Sequence, residues 1–163
     1  MKIKKIAYIL FIFFITVESS FSQNVKQLTP AETLKEISLN VNKGNFDNAV
    51  HLMYSYVAQT ETSNSERVIK ITQDIRFKLS TLLLQLERAE EASSVLTDYL
   101  NNDLIEHKGK AFLMHATCEY ELKRYPECIN VITNGLSNYQ LMQASNEEEI
   151  FSISDLATMN LML

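Results

Sequence analysis

Apolar residues recur every three or four positions along most of the chain after Leu28, which is the period of an amphipathic helix. The first such segment opens with a strong start signal, because Thr29 suits an N-cap, Pro30 the first turn and Glu32 a capping box. Gly44 suits a left-handed C-cap at its end. The pattern predicts a helix between these signals, whose buried face carries Leu34, Ile37 and Val41.

The same periodicity predicts six further helices, separated by short polar stretches. The second begins at Asn45 or Asp47 and turns inward Ala49, Leu52, Met53, Tyr56 and Val57. After a loop over 59–65, a capping box of Ser63 and Glu66 opens a helix over 64–87 that is continuous or kinked near 72–74. The others are expected over 89–100, over 104–122 with a possible break at Gly109, over 129–136 and, after a loop over 138–144, from 145 or 146 to the end.

Two segments of the chain resemble each other. Residues 116–128 match residues 80–92 at a separation of 36, and the matched pairs are Thr117 with Thr81, Leu122 with Leu86, Arg124 with Arg88 and Glu127 with Glu91. Residues 157–163 repeat the first half of this pattern 41 positions further on. Because one helix pair cannot bury both of its faces, such repeats are expected to stack. The predicted fold is all-α, a solenoid of about three antiparallel helix pairs and one final helix.

The first 22 residues have the three-part pattern of a secretory signal. Three lysines precede the uncharged apolar run of residues 6–17, and Ser20 and Ser22 occupy the two positions that signal peptidase reads, with cleavage expected before Gln23. An uncleaved anchor is the alternative, but twelve residues are short against the roughly 20 that span a bilayer. The expected division is a signal peptide over 1–22 and one repeat domain over 23–163, exported to the periplasm or secreted, with no membrane span in the mature chain.

Composition narrows the range of partners. The full chain of 163 residues has a formal charge of −5, and removal of residues 1–22 leaves 12 basic and 19 acidic side chains. An acidic surface repels phosphate backbones, so no nucleic acid partner is expected. The apolar fraction of 46% is enough for a packed core.

Residues with potential chemistry are scattered. His51, His107 and His115 share no spacing typical of a metal site, so neither metal nor cofactor is expected. Cys118 lies two residues beyond the position that faces Cys128 across a helix pair, so two free, buried or half-buried thiols are expected rather than a disulfide. The side chains of Glu119, Glu121 and Glu127 are expected on solvated helix faces.

At residues 44–50, Gly-Asn-Phe-Asp-Asn-Ala-Val, the chain resembles the helix-to-helix turn of a tetratricopeptide repeat, and weaker versions recur at 87–92 and 123–128. The family's Trp and terminal Pro are absent, and the spacings of 43 and 36 between Ala49, Ala92 and Cys128 exceed the family's 34. A related helical-hairpin repeat is the alternative. The resemblance implies a concave groove, lined by the first helix of each pair, in which peptides bind.

The resemblance also implies candidate ligand positions on two first helices. They are Phe77, Thr81, Leu84, Gln85, Leu113, Thr117, Tyr120 and Glu121. Ser38, Thr81, Thr117 and Thr158 would form a ladder of small hydroxyls along this face. Close packing between successive first helices would explain the ladder equally well, because small residues satisfy either demand.

The leading functional hypothesis is an exported, non-enzymatic scaffold that binds a protein or peptide partner in this groove. The alternative is the periplasmic sensory region of a larger membrane signalling protein, since the fourth repeat stops at Leu163. An enzyme on a helical scaffold, acting through Glu119 or Glu121, is a third possibility. Because residues 161–163 are apolar, the C-terminal helix is expected either to continue into further sequence or to dock on a partner.

Overall fold

The computed structural model describes residues 28–145 and Thr158, and this part of the chain is all-helical, with no β-strand. Its six helices are α1 (Pro30–Asn42), α2 (Phe46–Thr60), α3 (Glu66–Gln85), α4 (Ala89–Leu100), α5 (Lys108–Glu121) and α6 (Tyr125–Ser145). Each helix packs against the next in sequence, and α3 also contacts α5. None of the described helices is both long and apolar enough to cross a membrane.

Three of the connections are short turns with one common backbone geometry. Gly44, Glu87 and Lys123 have φ values of 73°, 58° and 60°, and they follow α1, α3 and α5 respectively. In each turn the next residue's N–H donates to the carbonyl five residues back, as in Asn45 to Asn40, Arg88 to Leu83 and Arg124 to Glu119. This is the Schellman motif, and it confirms the left-handed cap expected at Gly44.

The side chains around these turns repeat as well. Arg88, at the start of α4, lies 3.5 Å from Asp47, and Arg124, at the start of α6, lies 2.5 Å from Glu90. Asp47 and Glu90 are both the second residue of their helix. Exposed ion pairs of this kind add little stability. Their recurrence nevertheless shows that the same contact is made twice, once between the start of α4 and the start of α2, and once between the start of α6 and the start of α4.

The core is formed by small and apolar residues at matching positions of α2, α4 and α6. Ala49, Ala92 and Cys128 are each at most 3% exposed. One helical turn further on, Met53, Leu96 and Ile132 are also buried. Small residues at the first set allow neighbouring helices to approach closely. One large cluster of buried residues spans α1 to α5, and a smaller one joins α5 to α6 around Phe112, Ala116, Cys128 and Ile132.

Helix starts agree only partly with the sequence-based expectation. The capping box of Thr29 and Glu32 is formed, with both reciprocal hydrogen bonds present. The expected box of Ser63 and Glu66 is not formed. Instead the Ser63 hydroxyl accepts a hydrogen bond from the Ser65 N–H, and α3 runs as one helix from Glu66.

The prediction that the fifth helix begins at residue 104 was wrong. The Asn102 side chain accepts the Leu104 N–H at 2.9 Å, and Ile105 is buried in the core. The Tyr99 hydroxyl accepts the His107 N–H at 3.1 Å. These contacts hold the segment in a non-helical path, and α5 begins at Lys108 with Gly109 in its first turn rather than at a break.

The prediction of a loop over 138–144 was also wrong, because α6 continues to Ser145. Leu136 and Tyr139 pack against the α5–α6 cluster, and this packing stabilises the continued helix. The Asn138 amide donates to the Asn134 carbonyl at 2.9 Å and so binds within the helix instead of ending it. The expected signal peptide over 1–22 and the final helix lie outside the described residues, apart from Thr158, which is helical.

Candidate functional site

A groove separates α1 from α3, with α2 as its floor. No Cα atom of α1 lies within 8 Å of a Cα atom of α3, whereas α3 and α5 do approach this closely. The groove encloses about 840 Å³, within the range of ligand sites. Its apolar lining consists of Leu34, Ile37, Val41, Phe46, Met53, Ile71, Ile75, Phe77 and Leu82.

Two of the apolar side chains in the groove are open to solvent. Val41 and Phe46 are each 39% exposed, so the expectation that Val41 would be buried was wrong. The reason is the rotation of α1, whose buried residues are Thr33, Ile37 and Asn40. This rotation turns the stripe of Leu34 and Val41 into the groove instead. The helix therefore packs a mixed face of Thr33, Ile37 and Asn40 on α2, and its apolar stripe of Leu34 and Val41 lines the groove.

The groove has a polar edge near the middle of α3. Lys78 pairs with Asp74 at 2.7 Å, within one turn of the helix. Lys110 of α5 lies over the Phe77 ring, with its Nζ 5.8 Å from the ring centroid, and has no carboxylate partner in the described part of the chain. The His107 ring packs against the same phenylalanine in a tilted orientation, with the ring centroids 4.7 Å apart. An apolar groove with an unpaired ammonium group at its edge can hold an apolar segment that carries an acidic group.

The eight ligand positions inferred from the family resemblance fall in several places. Phe77, Thr81 and Gln85 line the groove, as does Ser38 of the hydroxyl ladder. Leu84 and Leu113 are half-buried and pack against the core clusters. Thr117 is half-buried. Tyr120 is 59% exposed, and the centroid of its ring lies 5.7 Å from that of Tyr125. Glu121 borders a smaller cleft of about 340 Å³ near the α3–α4 turn.

The hydroxyl ladder makes bonds within its own helices. Ser38, Thr81 and Thr117 each donate to the backbone carbonyl four residues earlier, at 3.2, 3.0 and 2.9 Å. This use of the hydroxyl proton is common for such residues inside helices. Thr158 is helical and exposed. The hydroxyl oxygens of Ser38 and Thr81 can still accept a hydrogen bond from a molecule in the groove.

A buried polar cluster between α4 and α5 escaped the sequence analysis. Ser93 donates a short hydrogen bond to Glu119 Oε1, and His115 Nε2 lies 3.2 Å from Ser93 Oγ and 3.5 Å from that carboxylate oxygen. Arg124 lies 3.8 Å from Glu119 Oε2. Glu119 is only 4% exposed, so the expectation of a solvated face was wrong for this residue. Glu121 and Glu127 are exposed, as expected.

The cluster contains a serine, a histidine and a carboxylate, but its geometry is not that of a nucleophilic triad. In a triad the carboxylate binds Nδ1 of the imidazole and the serine binds Nε2. Here both partners lie at Nε2. Because the Ser93 proton goes to Glu119, His115 must donate Nε2–H to the serine oxygen. Burial lowers the pKa of His115, which favours this neutral ring. The arrangement suits a structural link between two helices.

Cys118 and Cys128 are free thiols, and both are buried, as expected. Burial raises the pKa of Cys118 to about 12, so this thiol stays protonated and unreactive at neutral pH. Within the residues described, no group of three or more His, Cys, Asp or Glu side chains is placed to hold a metal ion.

The chain matches no model of a known protein family, no curated protein and no solved structure. Its function is therefore inferred from the geometry of the groove and of the repeated turns.

Proposed function

We propose that this protein is a non-enzymatic scaffold that binds an apolar segment of a partner protein in the groove between α1 and α3. The observation that carries the proposal is the apolar stripe of Leu34 and Val41 on α1, which lines the groove. Val41 and Phe46 remain more than one-third exposed beside an opening of about 840 Å³. Apolar side chains gathered in a concave site of this size are typical of ligand-binding grooves.

The shape of the groove favours a helical ligand over a small molecule. Its walls are helices of 13 and 20 residues, or about 20 and 30 Å long. An amphipathic helix binds between such walls through apolar residues spaced by three and four. Ser38, Thr81 and Gln85 at the edge provide hydrogen-bonding groups that would orient the backbone or polar face of the ligand.

The proposal includes a solenoid of antiparallel helix pairs, similar in plan to tetratricopeptide arrays. Two repeated features support it. A Schellman turn follows each of α1, α3 and α5, and equivalent arginine contacts are made by Arg88 and Arg124. The departure from the 34-residue period has a structural source. Between Gly44 and Glu87 the chain includes α3, which at 20 residues is longer than α1 or α5. The longer helix extends the wall of the groove.

A selection experiment tests the binding site. Random peptides of about 15 residues are selected on the purified protein, and binding is measured by fluorescence anisotropy. Val41→Glu places a charge in the groove, while Leu39→Glu places one at a similarly exposed position of α1, 38% against 39%, that does not line it. We expect Val41→Glu to weaken binding at least tenfold and Leu39→Glu to leave it unchanged. Absence of any peptide that distinguishes the two variants would refute the proposal.

We also propose that the scaffold is exported, on the strength of the N-terminal signal pattern. Expression of the full chain in a bacterial host with a periplasm, followed by N-terminal sequencing of the released protein, tests this directly. We expect a mature chain that begins at Gln23. An intact N-terminus that remains with the cytosolic fraction would exclude export while leaving the groove proposal standing.

A further inference from the structure

We propose that the groove between α1 and α3 accepts residues 146–163 of a second copy of this chain. This inference rests on the proposed function, since it names the partner of that groove. In this arrangement the apolar residues of the segment would be buried against the apolar lining of the groove.

The segment has the apolar pattern that a groove between two helices demands. Its sequence places Ile150, Ile153, Ala157 and Leu161 on one helical face, with Leu156 beside them. Thr158, about 100° around the predicted helix from Ala157, borders this face and is helical and exposed in the structure. Eighteen residues form a helix of about 27 Å, which matches the 20-residue wall supplied by α3.

Charge favours the same pairing. Residues 146–163 contain Glu147, Glu148, Glu149 and Asp155 and no lysine or arginine. The groove offers Lys110, which has no carboxylate partner among the described residues, and Lys78, whose partner Asp74 lies on its own helix. An acidic amphipathic helix in the groove would give Lys110 a partner and leave the apolar side chains of both surfaces buried.

The source of the segment follows from the order of the helices. Among the described helices α6 contacts only α5, while the groove is walled by α1 and α3. A segment that continues from α6 would have to cross the first turn of α5, where His107 and Lys110 line the groove, to reach α1 of its own chain. A second copy provides it without such a path. Contact between different surfaces of two copies is heterologous, so it joins copies head to tail.

Sedimentation velocity on the purified protein, over a hundredfold range of concentration, tests the proposal. Val41→Glu blocks the groove and retains the segment, whereas the double substitution Ile153→Glu with Leu156→Glu blocks the segment and retains the groove. Each variant alone should remain monomeric. An equimolar mixture should form a complex of one copy of each, because one groove and one segment are still intact.

Matched controls separate docking from loss of folding. Leu39→Glu adds a charge outside the groove, and Met162→Glu adds one on the side of the predicted segment helix away from Ile153 and Ala157; both variants should associate like the unmodified protein. Circular dichroism of each variant should match that of the unmodified protein, which shows that the variant is folded. Lys110→Glu should weaken association about fivefold, the scale of an exposed ion pair, and should reduce its salt dependence.

Three outcomes would overturn the inference: a protein that stays monomeric throughout, an unmodified protein that associates while the mixture does not, and association that Val41→Glu leaves unchanged. If the protein is monomeric but selected peptides still distinguish Val41→Glu from Leu39→Glu, only the self-docking inference fails. If no peptide distinguishes these variants and the mixture also stays monomeric, the proposed function fails with it.

Discussion

Replacement of Glu119 is expected to destabilise the protein far more than replacement of its neighbour Glu121. The two residues are on the same helix, yet Glu119 is 4% exposed and accepts the Ser93 hydrogen bond, while Glu121 is exposed. Sequence alone places both on a solvated face. The comparison therefore separates the structural account from the expectation based on periodicity.

The magnitude follows from what Glu119→Ala removes. A hydrogen bond to a buried charged group contributes about 1.5–3 kcal/mol, and each buried methylene about 0.8 kcal/mol. Together these losses give about 3 kcal/mol, after allowance for water entering the space. For a domain of this size the melting temperature should fall by about 12 °C. Glu119→Gln keeps the volume and a carbonyl acceptor for Ser93, so its cost should be about 1 kcal/mol.

Urea unfolding, followed by circular dichroism at 222 nm, measures these differences as shifts in midpoint at constant slope. Glu121→Ala is the matched control and should change the free energy of unfolding by less than about 0.5 kcal/mol. Equal effects at the two positions would refute the buried cluster. So would a Glu119→Ala protein as stable as the unmodified one.

Three further predictions concern the turns, the histidine and the thiols. In urea unfolding, Glu87→Gly should stabilise the protein by about 1 kcal/mol, because glycine tolerates the φ of 58° at this position. Gly44→Ala should destabilise the protein by a similar amount, and effects of the same sign at both sites would contradict the shared turn geometry. Burial lowers the pKa of His115, so the unfolded chain takes up its proton first as the pH falls. The stability contributed by neutral His115 is therefore complete above pH 7 and declines below its ordinary pKa of 6.5. Between pH 8 and pH 5, the melting temperature of His115→Gln should fall less steeply than that of the unmodified protein. Cys118 and Cys128 should react with a disulfide reagent at pH 8 only after denaturation, and rapid reaction of the native protein would contradict their burial.

The helices and the repeat could be predicted from sequence because their signals are local. The cap at Thr29, the left-handed Gly44 and the small residues Ala49 and Ala92 each act through neighbours within one turn or one helix pair. Where prediction failed, burial of a side chain in the core contributed to the outcome. Ile105 is buried in the core and, with the Asn102 and Tyr99 hydrogen bonds, holds its segment out of a helix. Tyr139 packs on the cluster between α5 and α6, so α6 continues past residue 138.

The candidate site was only partly accessible to sequence for the same reason. Phe77, Thr81 and Gln85 were found through the family resemblance, which indicates which face of a first helix lines a groove. The other wall depends on the rotation of α1, which turns Val41 outward, and no spacing in the sequence fixes that rotation. Ser93 and Glu119 are 26 positions apart, and only the packing of α4 on α5 brings them together.

Hydrogen exchange of the backbone amides, with and without a saturating selected peptide, tests the central claim most directly. We expect added protection in fragments that cover residues 34–46 and 71–85, which contain most of the groove lining, and no change across α6. Protection confined to α5 and α6, or absent from both walls, would show that the groove between α1 and α3 is not the binding site.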